Sequence, residues 1–213
     1  MIPLILVIVA VAVLLAGGAA VAVAIFGSDA KRAHVTLLGP RRVGKTTLGT
    51  YLETGKITKA YYETRTAERF DGDIDMGDLE LQVRMCSPGG SEDQYRDWLD
   101  LAKSAKVIVY MFDVVRLRKD KAHAKQVREG AQQVRLMKTA GDLNKHVRIV
   151  VVGTHRDQDT NPGSPSYEAK LAAHPDVVEL TRILQPHQTL FVSLHSNKEI
   201  EEVLWAVGQE AGK

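Results

Sequence analysis

His34-Val35-Thr36-Leu37-Leu38-Gly39-Pro40-Arg41-Arg42-Val43-Gly44-Lys45-Thr46-Thr47 joins a short apolar run to a segment with helical spacing. Within it, Gly39 to Thr46 fits G-x-x-x-x-G-K-[ST], placed as that pattern requires, after a strand and at the opening of a helix. In such a loop the backbone N–H groups and the helix N-terminus cradle a polyphosphate. Lys45 reaches its β and γ groups, and the Thr46 hydroxyl ligates Mg²⁺. A chance glycine-rich turn carrying an exposed lysine is the alternative, and the flanking strand and helix weigh against it. Gly39, Arg41, Arg42, Val43, Gly44, Lys45, Thr46 and Thr47 are therefore the expected phosphate-binding residues.

Downstream, short β-branched runs alternate with longer amphipathic stretches, the pattern of an α/β domain with a largely parallel sheet. The runs predict strands over His34 to Leu38, Leu79 to Cys86, Val107 to Asp113, Val147 to Gly153 and Thr189 to Ser193. Apolar spacing predicts helices over Lys45 to Glu53, Glu92 to Ala105, Lys121 to Ala140 and Glu199 to Val207. Arg69 to Met85, with Gly77 between two strand-like runs, reads as one antiparallel hairpin. Asp157 to Tyr167, with Asn161, Pro162, Gly163 and Pro165, reads as a loop.

Upstream, Ile2 to Phe26 carries no charge, and as a helix this run exceeds a hydrocarbon core of about 30 Å. A cleaved signal peptide is the alternative, but no basic residue precedes the run and it is long for such a segment. Residues 1–26 are therefore expected to form a single-pass transmembrane anchor, residues 27–32 a juxtamembrane linker, and residues 33–213 one domain. Lys31 and Arg32 follow the run directly, which predicts a cytoplasmic domain. Across all 213 residues, 45% are hydrophobic and 25% charged, a balance that excludes a disordered chain or a polytopic membrane protein. The single cysteine, Cys86, excludes an internal disulfide and a clustered-thiolate zinc site. A net charge of +2 gives no ground for a nucleic-acid partner.

Four further segments follow the phosphate loop in a telling order. Tyr61-Tyr62-Glu63-Thr64 offers a threonine, with Thr66 nearby, and Cys86-Ser87-Pro88-Gly89-Gly90 precedes the acidic-aromatic run Glu92 to Asp97. Thr154-His155-Arg156-Asp157 ends a strand, as does Ser193-Leu194-His195. Together with the phosphate loop, this order resembles the small GTPases of the Ras-like superfamily over essentially the whole chain after residue 33. The resemblance implies a P-loop NTPase three-layer sandwich, mostly parallel with one antiparallel hairpin, binding GTP or GDP with Mg²⁺. It implies a first switch in which Thr64 senses the metal and γ-phosphate, and a second switch of D-x-x-G type ending at Gly89. Thr154, His155 and Asp157 would stand for the guanine-reading N/T-K-x-D, and Ser193, Leu194 and His195 for the loop that contacts the base.

Guanine offers N1–H and an exocyclic amine side by side, a donor pair that the Asp157 carboxylate can accept and that adenine lacks. His155 stands where the family has a lysine that packs on the base, and its ring can stack instead. A plain strand-end turn is the alternative for this segment. Cys86 replaces the aspartate of the second switch, a thiol ill suited to a hard cation. Asp71, Asp73 or Asp75 could substitute, and Asp113 ends a strand in Walker-B fashion, although the resemblance implies that its position is structural. Gly90 replaces the glutamine that orients the attacking water, which predicts slow hydrolysis. Lys45, Arg41 and Gln94 are the remaining catalytic candidates, and Thr46 and Thr64 the metal ligands. Ten Lys or Arg against Asp120, Glu129 and Asp142 between Arg116 and Arg148 read as a solvated face, or as a surface for an anionic leaflet or acidic partner.

These features predict a membrane-anchored guanine-nucleotide switch whose switch regions meet an effector or regulator protein. A pseudo-GTPase scaffold, motivated by Cys86 and Gly90, and a P-loop ATPase, motivated by the imperfect guanine motif, stand beside it.

Overall fold

The computed structural model describes residues 31–54, 69–75, 79–86 and 94–213. The expected anchor, residues 27–30 of the expected linker, Thr64 and Thr66, Gly77, and Ser87 to Asp93 with Gly89 and Gly90 lie outside the described residues, while Lys31 and Arg32 of that linker open the first strand. Among the described residues, no helix is long and apolar enough to cross a membrane.

Strand β1 (Lys31–Leu38) leads through the phosphate loop into α1 (Lys45–Thr54). Next come β2 (Arg69–Asp75), β3 (Leu79–Cys86), α2 (Gln94–Ala102) and β4 (Val107–Asp113). Two helices, α3 (Val114–Lys119) and α4 (Lys121–Thr139), precede β5 (Arg148–Thr154). A 3-10 turn (Arg156–Gln158), α5 (Tyr167–Ala172), α6 (Pro175–Leu184), β6 (Gln188–Phe191) and α7 (Asn197–Ala211) complete the described chain.

The six strands run in the order β2-β3-β1-β4-β5-β6. Five are mutually parallel, and β2 pairs antiparallel with β3 from Arg69 opposite Cys86 to Asp75 opposite Glu80. This is the expected α/β arrangement with one antiparallel hairpin. Alternation along β4 builds the three layers, because side chains two apart share a face. Ile108, Tyr110 and Phe112 pack with Trp98 of α2, Val127, Ala131 and Val134 of α4, and Leu180 of α6. Val107, Val109 and Met111 pack on the other face with Leu48 of α1 and Ile200, Val203 and Val207 of α7. On both faces β4 is fully buried, as a central parallel strand must be.

Several boundaries differ from the expectation. The second helix ends at Ala102 rather than Ala105, where a turn feeds the buried Ala105 toward β4. The last helix extends from Asn197 to Ala211, since Ala206 and Ala211 continue its buried stripe. Val114–Lys119, to which the sequence reading assigns no element, is a short helix, because the Asp113 carboxylate accepts from the N–H groups of Val115 (2.9 Å) and Arg116 (2.8 Å). Likewise Asp120 caps α4 through the N–H groups of Ala122 and His123, each at 3.0 Å.

Candidate functional site

Parallel strands place all their C-terminal ends on one edge of the sheet, where ligands of open α/β sheets bind. The loops after β1, β4, β5 and β6 meet there, which brings the expected phosphate, guanine and base loops together.

The phosphate loop is shaped by backbone geometry that its sequence permits. Gly39 has φ of 140°, and a Cβ there would lie 2.2 Å from the Met111 carbonyl oxygen of β4, so only glycine fits. Gly44 has φ of 87°, and a Cβ there would meet the Leu194 side chain at 2.4 Å. Arg42 also takes a left-handed conformation, with φ of 62°. Successive turns of this kind aim N–H groups into a common concavity, the nest suited to an anion. Val43 is buried beneath the loop, while Arg41 and Arg42 are exposed. Lys45 is buried, and its ammonium donates to the carbonyls of Gly39 (2.8 Å) and Pro40 (2.6 Å), which holds the charge across the loop. Thr46 and Thr47, both half-buried, follow in the first turn of α1, whose first helical bond runs from the Leu48 N–H to the Gly44 carbonyl.

Thr154 links the guanine-reading segment to this loop. Its buried hydroxyl lies 3.0 Å from the Val43 carbonyl and 3.1 Å from that of Phe112, so its one proton is shared between the two. His155 sits in the left-handed region with φ of 60°. Its Nδ1 lies 2.9 Å from the Thr154 hydroxyl oxygen and 3.3 Å from the Asp113 carboxylate. Both oxygens can accept, which assigns the proton to Nδ1 and anchors the ring by that edge. Asp113 is thus occupied by capping α3 and facing His155, and does not serve as a Walker-B metal ligand.

The base loop is held by contacts that the sequence reading missed. Arg156 bonds Glu168 of α5 (2.9 Å) and Glu199 of α7 (3.0 Å). The other oxygen of Glu199 accepts from the Ser193 N–H, so one carboxylate clasps the two loops. Leu194 is buried against Gly44, and the exposed His195 places Nε2 4.0 Å from the Asp157 carboxylate. No short-range pattern signals this clasp, since Arg156 and Glu199 lie 43 positions apart.

Beyond Asp157, Asp159 accepts from the Tyr167 hydroxyl (2.9 Å), the Thr160 N–H (2.8 Å) and the Arg118 guanidinium. Burial opposes its charge, but these donors together hold its carboxyl below the ordinary range. The same interaction and burial raise the Tyr167 phenol.

The structure therefore brings together Gly39 to Thr47, Thr154, His155, Asp157 and Ser193 to His195. Gln94 opens α2, while Thr64 and Gly89 lie outside the described residues. Among the described residues no cluster of three or more His, Cys, Asp or Glu can hold a metal, and the Thr46 hydroxyl at the opening of α1 is an oxygen that could ligate Mg²⁺. The buried lysine, the nest and a threonine at the helix opening fit a metal-bound polyphosphate.

Comparison with known proteins agrees with this geometry. No curated protein matches the sequence. The sequence model of the Ras family matches residues 34–210, from β1 through α7. Carrying that match over most of its length, together with the phosphate loop and the two strand-end loops packed on it, the chain belongs to the Ras family and contains a Ras-like small GTPase domain.

Proposed function

We propose that this chain is a membrane-anchored guanine-nucleotide switch that binds GTP or GDP with Mg²⁺, hydrolyses GTP slowly and controls a partner protein through its switch regions. The observation that carries the reading is the bond from Thr154 to the Val43 carbonyl, which couples base reading to the phosphate loop. Asp157 supplies the acceptor pair for guanine, and Lys45, braced by Gly39 and Pro40, supplies the phosphate-facing charge. When bound, Mg²⁺ neutralises charge on the phosphate oxygens. Arg41 and Arg42 add cations at the loop rim, and Thr64 and Gly89 are the expected switch contacts.

The proposed anchor, Ile2 to Phe26, joins the domain at the start of β1, the edge opposite the phosphate loop. The eight residues of β1 span about 26 Å, so the nucleotide edge faces away from the bilayer, where a cytoplasmic partner can reach it. Lys31 and Arg32 support that orientation. The pseudo-GTPase reading retains one specific motive, the replacement of the second-switch aspartate and glutamine by Cys86 and Gly90.

The test washes membranes with alkaline carbonate, extracts the full chain in detergent and analyses the nucleotide it carries. Retention in the washed membrane with co-purifying GDP or GTP is expected. Release by carbonate contradicts the anchor, and a chain that carries no nucleotide and takes up none supports the pseudo-GTPase.

A further inference from the structure

A cavity of about 660 Å³ opens between α3 and the segment that follows the guanine-reading turn, within the size range of small-molecule sites. It is lined by Arg118 and Lys119 of α3, Lys170 of α5, and the hydroxyl residues Thr160, Ser164 and Ser166. Its one carboxylate, Asp159, is nearly buried and already engaged by Arg118, Tyr167 and the Thr160 N–H. That carboxylate is bound within the wall and cannot neutralise the rim.

Along the basic stretch Lys119, like Lys121, Arg135, Lys138 and Lys145, has no ion pair among the described residues, and what sets Lys119 apart is that it lines this cavity together with Lys170. Arg116 pairs with Asp120, Lys125 with Glu129, Arg128 with Asp176 and Arg148 with Glu210. Among the described residues, Lys119 and Lys170 have no carboxylate within ion-pair distance, and the Thr160, Ser164 and Ser166 hydroxyls make no side-chain hydrogen bond. Two ammonium groups and three hydroxyls, four of these five residues exposed, therefore present donors that no protein acceptor competes for. A ligand that satisfies them is compact, rich in acceptor oxygens and multiply anionic, since ammonium groups only donate.

We infer that this cavity is a second anion site, distinct from the phosphate loop, that binds a small molecule carrying clustered phosphate groups. Lys119 and Lys170 supply the charge from two separate elements, and Thr160, Ser164 and Ser166 supply neutral donors between them. Occupancy ties α3 to Thr160, three residues beyond Asp157, so the ligand braces the guanine-reading turn from behind. The phosphates belong to a soluble metabolite, because the cavity lies at the sheet edge that the proposed orientation turns away from the bilayer.

The test titrates inorganic tripolyphosphate into the full chain in detergent at physiological salt by calorimetry, using the Lys45→Ala variant to remove the phosphate loop as a binding place. One site per chain that survives Lys45→Ala is expected. Lys119→Gln with Lys170→Gln should weaken it about a hundredfold, roughly tenfold for each charge-assisted contact, and Lys119→Arg with Lys170→Arg should restore most of it. Unchanged thermal unfolding of these surface variants establishes that the fold is intact. Nanodiscs with and without phosphatidylinositol bisphosphate test the source: equal titration in both is expected, and a titration blocked only in the former overturns the soluble source and the proposed orientation. Binding that disappears in Lys45→Ala, that ignores the lysine substitutions, or that is absent from the unmodified chain overturns the inference. Those outcomes do not bear on guanine-nucleotide binding, which the unmodified phosphate loop reports separately.

Discussion

At the scale of single residues, the site separates binding from turnover. Lys45 and Asp157 lie in the loops proposed to bind the nucleotide, whereas Gly90, proposed to stand where the family has its glutamine, has no side chain with which to orient a nucleophile. Phosphoryl transfer depends chiefly on positioning and charge stabilisation, so this replacement bears on rate more than on affinity. Gly90→Gln is expected to raise single-turnover hydrolysis by about tenfold or more, within the range of a positioned catalytic group, while GTP affinity stays nearly constant. Brisk hydrolysis by the unmodified chain with no response to Gly90→Gln would show that another group, Gln94 first, positions the water. Loss of turnover without loss of binding in Arg41→Ala would identify an arginine acting in cis. Most of these residues were legible from spacing, because the phosphate loop and the strand-end motifs are local. For Asp113 the resemblance implied a structural place, but its partners, the first N–H groups of α3 and His155, depend on where α3 starts and came only from the structure.

Among the elements, the clasp made by Arg156 and Glu199 is the contact that holds the base loop. Glu199 lies in the first turn of α7, which places its carboxylate against the Ser193 N–H. Glu199→Ala removes that acceptor and leaves Arg156 with Glu168 alone. A loss of about 1 kcal/mol in stability is expected, with faster GDP release measured by stopped-flow fluorescence, whereas Glu199→Gln retains the acceptor and should recover most of the release rate. Equal release rates in all three proteins would reduce the clasp to a surface ion pair. The strands were legible because β-branched runs with buried alternation leave few other readings. Helix α6 was equally legible, with Pro175 in its first turn and Val177, Leu180, Ile183 and Leu184 on one face, yet the sequence reading assigns no helix there. Helices α3 and α5 have six residues each, too few for periodicity to declare itself.

Across the whole molecule, one buried group makes stability respond to pH. His123 of α4 is 1% exposed, and neither ring nitrogen has a hydrogen-bond partner. Burial first, and then the Arg116 charge and His155, push its pKa down to about 4, although Asp113 and Asp120 pull the other way. The unfolded chain binds this proton near its ordinary value of about 6.5, so it holds more protons than the native state between pH 6.5 and 4. Stability therefore falls as pH drops through that window, by at most about 1.4 kcal/mol per unit from this group. His123→Leu should flatten that part of a pH series of thermal unfolding and raise the midpoint at neutral pH, because no unpaired polar atom is then buried. An unchanged slope would place the acid sensitivity elsewhere. Equilibrium titration of the full chain in detergent with GTP and ATP in the presence of Mg²⁺ tests guanine recognition by the assembled edge of the sheet. GTP should bind about a hundredfold or more tighter than ATP, Asp157→Asn should erase that preference by removing the charged acceptor pair, and Lys45→Ala should abolish both. Equal affinity for GTP and ATP, or GTP affinity indifferent to Lys45→Ala in a folded protein, would contradict the account.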